Sequence, residues 1–355
     1  MSAIDLLLTD FCNQSCPFCF ARKEMESPLK KYMTWEDYLF ITDVLKKNEI
    51  FTLNLLGGEP TIHPFFPKII KHALKNFFSI MIYTNGIFPP KVTETLRSLN
   101  TSRIKITFNI STPGFISNPK IRDAVLANIE EFAPKTEVTL AITDVFQSQT
   151  FAQSIFSHVN DSLLKKVYAR LGFASPIAGE ANYVTLDDFP NVGENFCAII
   201  TDLDRRGPPK GYKANTSLTP CMFNEKERQF LENHEVRLHS DCHLEINDRW
   251  FTITSDLSTF KCYPLSMRER GKITKSNDLP AIRDAYTVLQ EKYRSEWVLP
   301  KCKTCPFYGI GKGKCSGPCL AFRYNALKQM KKIPIANEGD FVKDNPSLFL
   351  QLQNQ

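Results

Sequence analysis

No apolar run in this chain approaches the roughly 20 residues that a membrane-crossing helix needs. A secretory signal is missing as well: the start, Met1-Ser2-Ala3-Ile4-Asp5-Leu6-Leu7-Leu8, has no basic n-region and too short an apolar run. These absences predict no membrane partner and a cytoplasmic location. An excess of charge is lacking too, because the formal +6 is spread along 355 residues, so no nucleic-acid partner is expected. One local cluster is different. Lys301, Lys303, Lys312 and Lys314, then Lys328, Lys331 and Lys332, bracket several cysteines and either offset thiolate charge or form a solvated face. Cysteine is what the chain has in abundance. Eleven thiols in a reducing compartment argue for metal binding or chemistry rather than a disulfide framework.

The densest group is Cys12-Asn13-Gln14-Ser15-Cys16-Pro17-Phe18-Cys19, with three thiols separated by three and then two residues, after the apolar run Ile4 to Leu8. Three cysteines cannot close a tetrahedral site; on a [4Fe–4S] cluster they leave one iron without a protein ligand. A structural zinc site would need a fourth ligand nearby, and the next cysteine is Cys197. A second motif, Gly57-Gly58-Glu59-Pro60, follows the apolar run Phe51 to Leu56 and taken alone is an ordinary glycine turn.

Together, one β/α unit apart, the two motifs resemble the radical S-adenosylmethionine (SAM) superfamily, whose signature is Cys-x3-Cys-x2-Cys with an aromatic residue before the third cysteine, here Phe18. The resemblance implies that Cys12, Cys16 and Cys19 hold a [4Fe–4S] cluster whose open iron is chelated by SAM. It also implies that Gly57, Gly58, Glu59 and Pro60 grip the methionine amino group. One electron, from a reductase such as flavodoxin or ferredoxin, would then cleave SAM to methionine and a 5′-deoxyadenosyl radical that abstracts substrate hydrogen.

Along the chain, residues 1–175 alternate between strand and helix patterns. Strands are expected at 4–8, 51–56, 79–83, 103–110, 137–143 and 164–171. Helices are expected from Thr34, whose pairing with Asp37 resembles a capping box, through Lys47, then over 66–76, 89–99, 118–132 and 150–159. Such alternation predicts an α/β fold with parallel pairing through right-handed crossovers. The family fold, a partial (β/α)6 TIM-like barrel, matches that count, and reactive groups are then expected at the carboxyl ends of the strands. By resemblance, Thr84, Asn85, Thr107, Asn109 and Ser111 face the ribose and methionine carboxylate, and Arg122 stands where relatives carry a carboxylate-binding arginine. Relatives often have Ser-x-Asp-Gly at strand four, where this chain has Thr107-Phe108-Asn109-Ile110. Residues 176–235 show little sustained periodicity and are expected to bridge to a cysteine-rich α+β domain over 236–330, with a tail over 331–355.

That last domain carries a second set of thiols. Cys302-Lys303-Thr304-Cys305-Pro306, then Cys315 and Cys319, follow Cys221, Cys242 and Cys262. The set resembles the SPASM and twitch extensions of the family, which hold auxiliary iron–sulfur clusters. Those usually have Cys-x2-Cys-x5-Cys-x3-Cys and one further cysteine; here the middle gap is nine and nothing follows Cys319. One or two auxiliary [4Fe–4S] clusters are expected, with Cys242, Cys262 and Cys319 on one, Cys221 as its fourth ligand, and Cys302, Cys305 and Cys315 on the other. A zinc site from Cys302, Cys305, Cys315 and Cys319 is the competing reading. Cys197 is expected to be a buried free thiol.

Auxiliary clusters able to accept an electron favour oxidative outcomes, a cross-link or a dehydrogenation. The first functional expectation is modification of a ribosomally made peptide or protein side chain, with leader recognition by a separate protein or by the basic C-terminal region, because Cys12 leaves no room for a leader-binding domain before it. The second is a small-molecule enzyme, such as a sugar or aminoglycoside dehydrogenase. A non-enzymatic electron carrier would have no use for Gly57–Pro60. No general base is selected by the sequence.

Overall fold

The computed structural model describes residues 2–26, 28–29, 31–99, 102–143, 149–179, 182–214, 218–238, 249–266, 270–274, 279–309 and 315–331. Cys242, Lys312, Lys314, Lys332 and the expected tail beyond Lys331 lie outside the described residues.

Seven strands lie parallel in sequence order: β1 (Ala3–Leu7), β2 (Thr52–Leu56), β3 (Ser79–Thr84), β4 (Ile104–Asn109), β5 (Glu137–Ile142), β6 (Tyr168–Leu171) and β7 (Tyr212–Ala214). Every residue of β1 is buried, as in a parallel strand covered on both faces, whereas β3 and β6 alternate between buried and half-buried positions. The connecting helices carry one apolar stripe each. In α2 (Phe66–Asn76), Phe66, Ile69, Ile70 and Ala73 are buried at helical spacing. The first helix, α1 (Trp35–Lys47), starts where Thr34 Oγ1 accepts from the Asp37 amide at 3.0 Å. α3 (Pro90–Ser98), α4 (Pro119–Phe132) and α5 (Gln149–Phe156) complete the repeated units. The α/β barrel-like fold is as the alternation predicts.

Two stretches depart from the expected pattern. The sixth strand begins at Tyr168, because Asn160 accepts from the Leu163 amide at 2.8 Å and caps a helical turn over Asp161–Leu164 instead. The bridging segment is not irregular throughout. It holds α6 (Phe189–Arg206), whose Phe189, Val192, Gly193, Phe196, Ile199, Ile200 and Leu203 form a buried stripe, and then β7, which pairs with β6.

The chain beyond β7 joins the same sheet. After α7 (Glu225–Asn233), β8 (Arg249–Ile253) pairs parallel with β1 on the side away from β2. β9 (Ser258–Phe260) and β10 (Gly271–Lys272) follow antiparallel, giving the order β10-β9-β8-β1-β2-β3-β4-β5-β6-β7. Two helices, α8 (Leu279–Glu296) and α9 (Leu320–Gln329), pack beside this extension. The last is buried all round over Leu320–Leu327, and its Asn325 donates to the Ile177 carbonyl at 2.9 Å and accepts from Gly179 N–H at 2.8 Å. The first strand is therefore flanked by both halves of the chain.

Candidate functional site

The loop Cys12–Cys19 leaves the carboxyl end of β1 and is clasped by the turn after β2. Gly58 N–H donates to the Thr9 carbonyl at 2.7 Å, and Glu59 N–H to the Phe11 carbonyl at 2.8 Å. Only glycine permits this approach. A Cβ on Gly58 would stand 2.2 Å from the Phe11 carbonyl oxygen, and one on Gly57 2.6 Å from that of Thr9.

Glu59 is buried, and its carboxylate serves this framework. Oε1 accepts from Thr61 N–H, Thr61 Oγ1 and Thr84 Oγ1 at 3.1, 2.6 and 2.8 Å, and Oε2 accepts from Asn85 N–H at 2.7 Å. Burial raises its pKa despite these donors. Pro60 opens the buried 3-10 turn Pro60–Ile62. Asn85 extends the tie to the thiol loop, its Nδ2 donating to Asn13 Oδ1 at 2.6 Å. Gln14 anchors the loop from the other side, accepting from Gly114 N–H at 2.7 Å. Asn13 and Gln14 were legible only as spacers; their positions inside the motif were the sole signal.

The three thiols face one cavity of about 390 Å³. Its wall includes Cys12, Cys16, Phe18, Cys19, Gly57, Gly58, Glu59, Thr84, Asn85, Thr107 and Asn109, which the structure thus brings together at the carboxyl ends of β1 to β4. Ser111 lies behind that wall, buried, donating its hydroxyl to Asn109 Oδ1 at 2.8 Å. Arg122 is not part of the described wall: it sits on α4, outside the sheet, and donates to the Ile116 carbonyl at 3.3 Å. The arginine that does line the cavity is Arg170 on β6, in register with Ala141 and with its guanidinium 5.8 Å from the Tyr83 ring. A charge inside an otherwise apolar strand was the available signal.

The donor set fits a thiolate-ligated cluster. Burial pushes Cys12 up to about 11 and Cys16 up to about 12, and in Cys16 the neighbouring Cys19 and Cys12 add to the effect. Three thiols packed this way ionise only beside a strong positive charge, which an iron–sulfur core supplies.

The C-terminal half also contributes to the cavity wall, including Cys262, Tyr263, Cys319 and Phe322. Phe20, next to Cys19, packs on Tyr263 with ring centroids 4.4 Å apart. The remaining thiols form a separate set. Cys221, in the turn Pro220–Met222, and Cys305 and Cys315 all act electrostatically on Cys302, which burial pushes up to about 11. Cys221 and Cys305 act on Cys315 too. The turn of Cys221 is held there by Arg228, which donates to the Phe223 carbonyl at 2.5 Å and lies 5.1 Å from the Phe307 ring. The structure thus brings Cys221 near Cys302 and Cys315. Sequence order hid this because α7, β8–β10 and α8 separate the partners. Cys197 is half-buried on α6, and burial pushes it up to about 12. Among the described residues no three Cys, His, Asp or Glu side chains converge on a single-ion site, and no helix is long and apolar enough to cross a membrane.

Residues 6–146 match the family described as the Radical SAM superfamily. The chain is 27% identical over 149 residues to the antilisterial bacteriocin subtilosin biosynthesis protein AlbA of Bacillus subtilis, covering 42% of this chain and 32% of that one. It is 30% identical over 107 residues to an S-adenosylmethionine-dependent nucleotide dehydratase of Selenomonas ruminantium, covering 28% of this chain and 38% of the other. The matches thus span about a third of these relatives' length. Among solved structures, anSMEcpe with bound AdoMet and the Kp18Cys peptide superposes with a TM-score of 0.62 at 15% identity, covering 99% of this chain and all of that one, so the likeness of fold includes the C-terminal half. Over residues 6–146 the chain is thus similar to the Radical SAM superfamily.

Proposed function

We propose that this protein is a radical SAM enzyme that oxidatively modifies a ribosomally made peptide or a protein side chain. The observation that carries the reading is one cavity lined by Cys12, Cys16 and Cys19 and also by Cys262 and Cys319. Cys12, Cys16 and Cys19 would hold a [4Fe–4S] cluster with one iron open to SAM, beside Gly57–Glu59, Thr84 and Asn85. When bound, these groups supply a 5′-deoxyadenosyl radical for hydrogen abstraction.

The task of the chain is then placement and exclusion. Phe18, Phe173, Phe189 and Phe322 give the cavity apolar walls that keep water from the reacting centre, while Thr107, Asn109 and Arg170 offer polar anchors. Cys221, Cys302, Cys305 and Cys315 would hold one auxiliary cluster. Cys262 and Cys319 would contribute to another at the cavity wall, placed to take an electron from a substrate held between the two thiol groups. The peptide reading is supported by AlbA, named for bacteriocin biosynthesis, and by the peptide bound in the anSMEcpe structure. A small-molecule substrate is the second reading, favoured by the nucleotide dehydratase among the relatives. A reductase such as flavodoxin or ferredoxin, a separate leader-binding protein and a cytoplasmic setting complete the proposal.

The test is mass spectrometry of the native host against a Cys16→Ala strain, reading peptide and metabolite fractions together. A peptide lighter by two hydrogens only when Cys16 is intact is the expected result. An unoxidised metabolite accumulating in the variant, with peptides unchanged, replaces it with the second reading. No difference in either fraction sinks both.

A further inference from the structure

Arg323 lies on the first turn of α9 and is 2% exposed, with no carboxylate paired to it among the described residues. Burying a guanidinium without an anion is costly, and such a charge is retained only where something of opposite sign meets it. Two of its nitrogens are used locally. Nε donates to the Pro318 carbonyl at 2.7 Å and Nη2 to the Ser316 carbonyl, so that the Cys315–Cys319 loop wraps the side chain. Gly317 makes the wrap possible: its φ is +93°, and a Cβ there would lie 3.0 Å from the guanidinium carbon. The third nitrogen, Nη1, is buried and has no hydrogen-bond partner among the described residues.

Two carbonyls satisfy donors without cancelling a charge, so the loop alone does not account for a cation here. The thiols around it do. Held inside the Cys315–Cys319 loop, Arg323 acts electrostatically on Cys302, Cys315 and Cys319. Burial lowers its own pKa, whereas Tyr308, Cys302 and Cys319 hold it up. Arg294, the other charge acting on it, has the same sign and offers no neutralisation.

We propose that Arg323 is the buried counter-charge of the auxiliary clusters, a positioning residue that stabilises their reduced state and so raises their reduction potential. The inference rests on the reading that the C-terminal thiols hold clusters. Adding an electron makes a thiolate-ligated cluster more negative, and a fixed cation close by favours that state. The same charge makes the clusters better acceptors of the electron that an oxidised substrate must give up.

The experiment uses the full chain with Cys12, Cys16 and Cys19 all changed to Ala, reconstituted anaerobically with iron and sulfide, so that only auxiliary clusters report. Iron content is measured, and the clusters are titrated with dithionite under electron paramagnetic resonance, in this parent and with Arg323→Gln or Arg323→Lys added. The expected result is an approximately tenfold shift toward the oxidised form in Arg323→Gln, about 59 mV lower for a one-electron couple. Lys should restore most of it, although it cannot reproduce the two-carbonyl clasp. Iron retained by Arg323→Lys and lost by Arg323→Gln supports the proposal as well. An unchanged potential in Arg323→Gln, or equal losses in both variants, overturns it and leaves Arg323 as a loop clasp. A parent without iron overturns the cluster reading itself, a result distinct from either.

Discussion

The two thiol regions reach similar ends by opposite routes. The N-terminal loop packs Cys12, Cys16 and Cys19 into eight consecutive residues, and neighbouring turns merely brace it. The C-terminal set draws Cys221 from before α7 and Cys302, Cys305 and Cys315 from after α8, so its geometry depends on how distant elements pack. A local site tolerates changes far away; an assembled one does not. Yet each is pressed into place by a glycine that a carbonyl oxygen approaches closely: Gly58 against Phe11 and Gly193 of α6 against Met222, where a Cβ would stand only 2.0 Å from the carbonyl oxygen.

That symmetry can be broken deliberately. Gly58→Ala should cost roughly 2–3 kcal/mol, the upper range for overpacking, and strip iron from the N-terminal loop while the C-terminal iron stays. Gly193→Ala should do the reverse, displacing the Cys221 turn; melting curves and iron analysis of both variants check this. If either variant empties both regions, the two are not independent. A smaller effect is expected from Cys221→Ser, which should lose roughly one cluster's iron at most and leave the N-terminal site unaltered. Retention of all auxiliary iron, with unchanged spectra, would return Cys221 to the role of a bystander thiol.

The smallest effect concerns Glu59. Its folded pKa is raised by burial, so the folded state takes up a proton at higher pH than the unfolded chain does. Stability from this group is present below the ordinary glutamate value and is lost as pH rises through the folded value. Relative to Glu59→Gln, the wild type should therefore gain stability on acidification from neutral pH. Denaturant titrations at several pH values read the difference, and a gap between the two proteins that does not vary with pH contradicts it.

What the sequence disclosed follows from range. The thiol loop and Gly57–Pro60 were legible because the chemistry is written in adjacent residues, and β2 to β5 were placed to within about a residue at each end because apolar runs bounded by turns are local signals. The stripe of α6 was equally local and was passed over amid the surrounding Gly and Pro residues. β7, with three residues, is too short to show a period. Arg323, Arg170 and the partners of Cys221 were beyond reach for a different reason. Their roles depend on contacts between segments far apart in sequence, which no spacing rule encodes. Arg122 is a different case: its expectation came from a family position, and it is not among the residues of the described cavity wall.

The pairing of Ala3 with Arg249 has a consequence for how the molecule comes into being. During synthesis β1 emerges ahead of β2, which covers one of its edges soon after. Its other edge stays unpaired until β8 has left the ribosome. A strand edge left open so long is a template for wrong partners, and closing so distant a contact is slow. The strand that delivers the first thiol loop is thus made long before it is secured, which gives the nascent chain a long interval in which that loop stands open to its surroundings.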